Sequence, residues 1–159
     1  MRLTEQYFWH IIFSVFFLTL VILGAIILES EASEALHAAT LFDMGIIALA
    51  SFRLIRLFEH DKITAFFREQ FWDAKEMKTK VMLVKPEGGP RLTIADLISC
   101  PWCLGIWMAA LTTFCYFITP YAYYIILFLA LSAVASMLQV TANLIGWSAE
   151  KFKHDVESR

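Results

Sequence analysis

Long uncharged apolar runs dominate the chain. Phe8 to Leu28 has no formal charge over 21 residues and is interrupted only by His10, Ser14 and Thr19. At 1.5 Å per residue, such a helix reaches across the roughly 30 Å of a bilayer's hydrocarbon core. The apolar region of a cleaved signal sequence is shorter, about 7–15 residues. The run therefore predicts an uncleaved first span, although Glu31-Ala32-Ser33-Glu34-Ala35 offers the small residues that cleavage uses. After the acidic connector Glu29–Glu34 comes a second predicted span, 36–58, the least apolar of the set because it holds Asp43, Arg53 and Arg56. Leu97 to Ala149 is then free of formal charge for 53 residues. Proline disfavours helical geometry in the residue before it, so Thr119-Pro120-Tyr121 divides this stretch into spans at about 101–119 and 122–147. Two consecutive helices without a charged face do not suit a water-soluble bundle.

Composition agrees with this pattern. The chain has 159 residues, room for one domain, and is 59% hydrophobic, against about 45–50% for soluble domains. Its net charge of −2 hides a strong segregation. With the N-terminus in the cytoplasm and four spans, all 13 Lys and Arg fall on the cytoplasmic side or at cytoplasmic helix ends, and the outer loops have none. The positive-inside rule selects this orientation in the cytoplasmic membrane, with both termini inside. The expected fold class is an all-α membrane protein, a bundle of four transmembrane helices forming a single domain over 1–159.

The cytoplasmic segment, 59–99, adds local structure. Asp61 is placed to cap a helix whose Ile63, Phe66, Phe67 and Phe71 share one face, with Arg68, Glu69, Asp73 and Lys75 opposite. This pattern predicts an amphipathic helix on the membrane surface. Val81-Met82-Leu83-Val84, followed by the turn-forming Pro86-Glu87-Gly88-Gly89-Pro90, predicts a short strand and hairpin. Thr93 and Asp96 have the spacing of a helix N-cap pair.

The segment richest in chemistry is Cys100-Pro101-Trp102-Cys103, where the third span begins. Pro101 suits a first helical position, which makes Cys100 the N-cap and places Cys103 one turn in. Free N–H groups and the helix dipole favour a thiolate there. Three uses remain open: structural thiols, a redox dithiol, or part of a metal site. A reducing cytoplasm argues against a permanent disulfide. Zinc, the candidate metal, needs about four donors, so His60, His154 or the thiols of a second chain would have to complete a site. No other cofactor is indicated. Cys115 lies well inside the third span and reads as packing.

Ser132, Ser136, Gln139 and Asn143 are 4, 3 and 4 apart and form a polar stripe on the fourth span, expected to face the bundle interior. Gln139 and Asn143 are expected level with Arg53, Arg56 and the cysteines, where together they would line a shallow polar pocket. Gly105 and Ala109 form a small-xxx-small pair suited to close helix approach. Asp43 reads as interfacial, or, if deeper, as a proton or cation site in a small dimeric transporter. The sequence contains no phosphate loop, nucleophile elbow, HExxH or dinucleotide fingerprint. Basic residues alternate with acidic ones, which does not suit nucleic-acid binding.

Two segments read together carry a family resemblance. One runs Ser51-Phe52-Arg53-Leu54-Ile55-Arg56-Leu57, continuing through Asp61-Lys62-Ile63-Thr64 to Phe67-Arg68; the other is Cys100-Pro101-Trp102-Cys103-Leu104-Gly105-Ile106-Trp107. Over about 45–145, the chain resembles the small bacterial and phage membrane proteins catalogued as domain of unknown function 1360. The shared positions are Arg53, Arg56, Asp61, Thr64, Arg68, Cys100, Trp102, Cys103, Gly105 and Trp107, with Ile55 standing where a small polar residue is common. The first span lies outside the resemblance. It implies a membrane protein and draws attention to the Arg and Cys motifs, but implies no reaction.

The sequence therefore predicts a structural or interaction component of the membrane rather than an enzyme. Its expected partners are the lipid bilayer and a second copy or other membrane proteins. The CPWC motif and the Arg53/Arg56 helix end are expected to organise its cytoplasmic face, with Asp61 and Arg68 tying the surface helix to them. The enzymatic alternative is a thiol–disulfide oxidoreductase using Cys100 and Cys103.

Overall fold

The computed structural model describes residues 2–77 and 80–157, without the side chains of residues 2–5, 74–77, 80–82, 154, 155 and 157. Its architecture is helical with one small hairpin. The elements are α1 (Arg2–Glu31), α2 (Ser33–His37), α3 (Leu41–Glu59), a single 3₁₀ turn (Lys62–Thr64), α4 (Ala65–Glu69), β1 (Asp73–Met77), β2 (Lys80–Val84), α5 (Pro90–Ser99), α6 (Pro101–Ile118) and α7 (Ala122–Glu157). Among the described residues, three helices are long and apolar enough to cross a membrane: Gln6–Glu31, Pro101–Ile118 and Ala122–Lys153.

The predicted second span divides. Residues 33–37 form the separate short helix α2, and α3 starts at Leu41 rather than at residue 36. The break has a local cause. Thr40 adopts an extended conformation, its hydroxyl accepts the Asp43 N–H, and the Asp43 carboxylate accepts the Thr40 N–H at 2.8 Å. This reciprocal capping box satisfies donors that a new helix would leave without partners. With Asp43, Arg53, Arg56 and Glu59 in its 19 residues, α3 is not among the three helices of membrane-crossing apolarity.

Yet α3 is the packing centre. Its Ile46 and Ala50 form a buried cluster with Ile126 and Ala130 of α7, and Ala50 and Ala133 are 0% exposed. Alanines on both helices let the backbones approach closely. Along its other side α3 lies antiparallel to α6. Tyr116 near the end of α6 meets Asp43 near the start of α3, while Gly105 near the start of α6 faces Ile55, where an added Cβ would lie 3.4 Å from Cδ1. α1 runs parallel to α6: the Phe17 ring lies 4.8 Å from Trp107, and a Cβ at Gly24 would sit 3.5 Å from Phe114. Helices α6 and α7 form an antiparallel pair around Pro120, with Tyr116 and Tyr123 rings 6.0 Å apart. The four long helices thus alternate in direction.

The connecting segment departs from expectation in three places. The amphipathic helix is reduced to the 3₁₀ turn and the five residues of α4. Phe71 lies beyond its end, Phe67 packs between Phe58 and Phe71, and Ile63 and Phe66 remain exposed. The strand over Val81–Val84 is present, but its antiparallel partner is β1, upstream, in the register Asp73↔Val84 to Met77↔Lys80. The Pro86–Pro90 run instead leads into α5, with Gly89 at φ 82°, a backbone angle that suits glycine, and Pro90 in the first turn. Thr93 and Asp96 therefore lie inside α5 and do not cap it. Thr93 accepts a hydrogen bond from Gln6 Nε2 at 3.2 Å, anchoring α1, and Asp96 pairs with Lys85 at 2.7 Å.

Candidate functional site at the junction of α3, α5 and α6

An α-helix ends with carbonyl groups that have no intrahelical donor. At the end of α3, residues of the following segment supply those donors. Thr64 Oγ1 donates to the Leu57 carbonyl and is 3.2 Å from the Asp61 carbonyl. Arg68 Nη1 donates to the Glu59 carbonyl and lies 3.5 Å from that of Phe58. A cation at a helix C-terminus also complements the helix dipole. Asp61 reverses the chain, but its side chain does not cap the next turn as predicted. It is turned back to Arg53, with Nη2 and Oδ2 3.0 Å apart, and both side chains are largely shielded. Arg53, Asp61, Thr64 and Arg68 are therefore one closure, in which the chain leaving α3 folds back and satisfies its last turn.

Arg56 points elsewhere. Its guanidinium carbon lies 6.0 Å from the Phe52 ring centroid, one turn back on its own helix. Gln139 and Asn143 are also separate: Gln139 Nε2 donates to Asn143 Oδ1 at 3.1 Å, and both are exposed on α7. The expected inward polar stripe is thus only half inward. Ser132 and Ser136 are half-buried, with the Ser136 hydroxyl donating to the Ser132 carbonyl, but the two amides meet only each other among the described contacts. This divides the expected polar pocket. Asp43 lies at the opposite end of α3, where Tyr116 donates to Oδ1 at 2.6 Å and Thr40 to Oδ2 at 2.7 Å.

Cys100 is the N-cap of α6, in extended geometry, and its Sγ accepts the Cys103 N–H at 3.3 Å. The Cys103 thiol, and then this N–H, hold the Cys100 thiol below its ordinary range. Both cysteines are free thiols, Cys100 half-buried and Cys103 exposed. A cleft of ≈ 540 Å³ opens beside them, bounded by α1, α5 and α6 rather than by α3 and α7. His10, Thr93 and Asp96 edge its polar part, and Phe17 and Trp107 its apolar part. Among the described residues, no three His, Cys, Asp or Glu side chains gather as a metal site. His60, one of the expected zinc donors, is 3.4 Å from Glu59, and the side chain of His154 lies outside the described residues.

Ties that the sequence did not signal fix α5 and the hairpin below the junction. Arg91 pairs with Asp73 at 3.1 Å and donates to the Gln70 carbonyl at 3.1 Å. The Lys85 ammonium lies 5.7 Å from the Trp72 ring centroid. Gln6 and Thr93 are 87 positions apart, so no local pattern could reveal their contact.

Three helices long and apolar enough to cross a bilayer, packed with a fourth long helix that is less apolar, define the class: a helical membrane protein. Within that class, the chain belongs to the family described as "Protein of unknown function (DUF1360)", whose profile matches residues 46–142. It is similar to Sporulation protein YjcA of Bacillus subtilis (strain 168), 35% identical over 104 residues that cover 62% of this chain and 88% of the relative. UPF0713 protein YngL of the same organism is 30% identical over 99 residues, covering 62% and 76% respectively. No solved structure matches the chain.

Proposed function

We propose that this protein is a four-span structural or interaction component of the cytoplasmic membrane, with its termini and the segment 59–99 on the cytoplasmic side. In this reading α3 is the fourth crossing helix. Its 19 residues give about 28 Å of rise, close to the hydrocarbon thickness. It lies between α6 and α7, so its polar residues sit near its ends or against protein. The orientation rests on the distribution of the 13 Lys and Arg.

The observation that carries the functional part is the engagement of the motif residues. Thr64 and Arg68 satisfy the last carbonyls of α3, Asp61 holds Arg53, and Cys100 caps α6. These roles build a collar from which partners can be held. The name of the sporulation relative makes spore formation the process in which to seek a phenotype.

One observation favours a second reading, thiol–disulfide exchange: Cys100 has both the spacing to Cys103 and the lowered thiol of a redox pair. Impermeant maleimide labelling of intact spheroplasts and inverted vesicles, with and without reductant, tests both readings. The collar reading expects labelling of Cys100 and Cys103 only in inverted vesicles, independent of reductant. Dependence on reductant favours exchange chemistry, and labelling from outside overturns the topology.

A further inference from the structure

The cleft beside the cysteines joins two chemistries. Its polar end is the level at which Gln6 of α1 meets Thr93 of α5, and His10, Asp96, Cys100 and Cys103 line it there. Phe17 lies seven residues beyond His10 on α1, and Trp107 seven beyond Cys100 on α6, so the aromatic part is about 10 Å deeper. Leu18 and Ile106 also line the cleft, yet they are 57% and 58% exposed, so it opens sideways between α1 and α6. In the membrane reading that opening faces lipid, while the polar end lies at the cytoplasmic surface. Its volume of ≈ 540 Å³ is within the roughly 300–1,000 Å³ of small-molecule sites.

The lining discriminates among amphiphiles that a bilayer can supply. Among the described residues, no Lys or Arg lines the cleft. The ammonium of Lys85 is 2.7 Å from Asp96 and is committed to that carboxylate. A lipid phosphate would meet an acidic group here with no spare cation. The polar end offers hydrogen bonding instead. The Thr93 hydroxyl accepts from Gln6 and donates to no group among the described contacts. Gln6 Oε1, beside it, is buried without a partner, so an unused donor and an unused acceptor stand together. The cysteines add a reductant. The Cys103 thiol hydrogen-bonds the Cys100 sulfur, which brings the two sulfurs within reach of each other.

We propose that the cleft holds the ring of a membrane quinone, which takes two electrons from Cys100 and Cys103. The inference rests on the membrane reading and on the thiol–disulfide reading above, and it names the oxidant that such exchange requires. A quinone carbonyl accepts from Thr93, and the electron-poor ring lies against the electron-rich faces of Trp107 and Phe17. Its apolar tail leaves between Leu18 and Ile106 into lipid. The Cys100 thiolate bonds to a ring carbon and pushes an electron pair onto a carbonyl oxygen, which takes a proton at the His10 end of the cleft. The Cys103 thiolate then attacks Cys100 Sγ. The S–S bond forms, the S–C bond breaks, and the ring leaves as hydroquinone, carrying two protons in place of those the two thiols gave up. Cytoplasmic thiols return the pair to its reduced form.

The test uses reduced, full-length Cys115→Ala protein in phosphatidylglycerol–phosphatidylethanolamine vesicles, with decylubiquinone and without oxygen. One hydroquinone per chain, loss of both maleimide-reactive thiols and a rate that saturates with quinone are expected. Ile106→Trp and Leu18→Trp, which fill the mouth from exposed positions, should each slow the reaction at least about tenfold. Oxidised glutathione reaches the exposed Cys103 from water and should oxidise the same variants within about twofold of the parent rate. Equal quinone reduction in the parent and both mouth-filled variants overturns the site. No quinone reduction by a parent that oxidised glutathione still converts to the disulfide refutes the quinone alone. A phospholipid retained by the purified parent and lost from Ile106→Trp, again without quinone reduction, gives the cleft to a lipid. Failure of both oxidants refutes the exchange reading beneath the proposal.

Discussion

Replacing Arg68 with Ala takes the guanidinium away from the end of α3. The lost interactions are its donation to the Glu59 carbonyl, a longer approach to Phe58, and a cation at the negative end of the helix. A hydrogen bond from a charged donor contributes about 1.5–3 kcal/mol, and the dipole interaction about 0.3–1 kcal/mol at the surface. Water replaces part of this, because Arg68 is only half-buried. The expected loss is therefore about 2 kcal/mol. Arg68→Lys retains the charge without the planar fork and should lose roughly half as much. Thr64→Val removes the other donor to the last turn, and the double variant should depart from additivity because both groups hold one chain reversal. The assay is reversible unfolding of purified protein in mixed micelles, with Arg56→Ala as control, since Arg56 contacts only the face of Phe52 among the described interactions. If Arg68→Ala costs less than about 0.5 kcal/mol, or no more than Arg56→Ala, the closure does not stabilise the fold and the argument fails.

The remaining predictions address neighbouring contacts. Asp61→Asn should lower stability by about 1 kcal/mol in the same assay, and exchanging the pair as Arg53→Asp with Asp61→Arg should recover part of the loss; no recovery would deny the ion pair. Gly105→Ala should be nearly neutral because its Cβ meets Ile55 at ordinary contact distance, whereas Gly105→Leu should cost about 1–3 kcal/mol by forcing α3 and α6 apart. Cys100 should alkylate with a pH midpoint below that of a free thiol. Its folded-state thiolate is favoured, so reactivity persists as pH falls and is lost only below the shifted midpoint; a midpoint at or above the free-thiol value would refute this. Cys100→Ser should retain the α6 cap and the thermal midpoint, while Cys100→Ala should lower that midpoint.

Much of this molecule follows from one-dimensional pattern. The uncharged runs after Phe8 and after Leu97 suffice to specify three long apolar helices, because hydrocarbon leaves a backbone few ways to satisfy its own polar groups. Pro101 and Pro120 placed helix boundaries for similarly local reasons, and the N-cap role of Cys100 followed from Pro101. The Arg and Cys motifs were visible and marked the family. What they do was not visible. Asp61 had the sequence position of a cap, but the tertiary fold brings Arg53 to it across the chain reversal, and an ion pair outweighs a weak local bond. Thr93 and Asp96 had cap spacing too, until Gly89 and Pro90 started α5 earlier and gave those side chains distant partners. Val81–Val84 read correctly as a strand, but strand pairing is non-local, and its partner lay upstream of it rather than beyond Pro90. The sequence by itself determined which segments are helical and apolar, since that depends on each residue and its near neighbours. Only the tertiary structure decided that the least apolar long helix is the packing centre and that α7 outruns its neighbours, because both depend on where separate helices begin, end and touch.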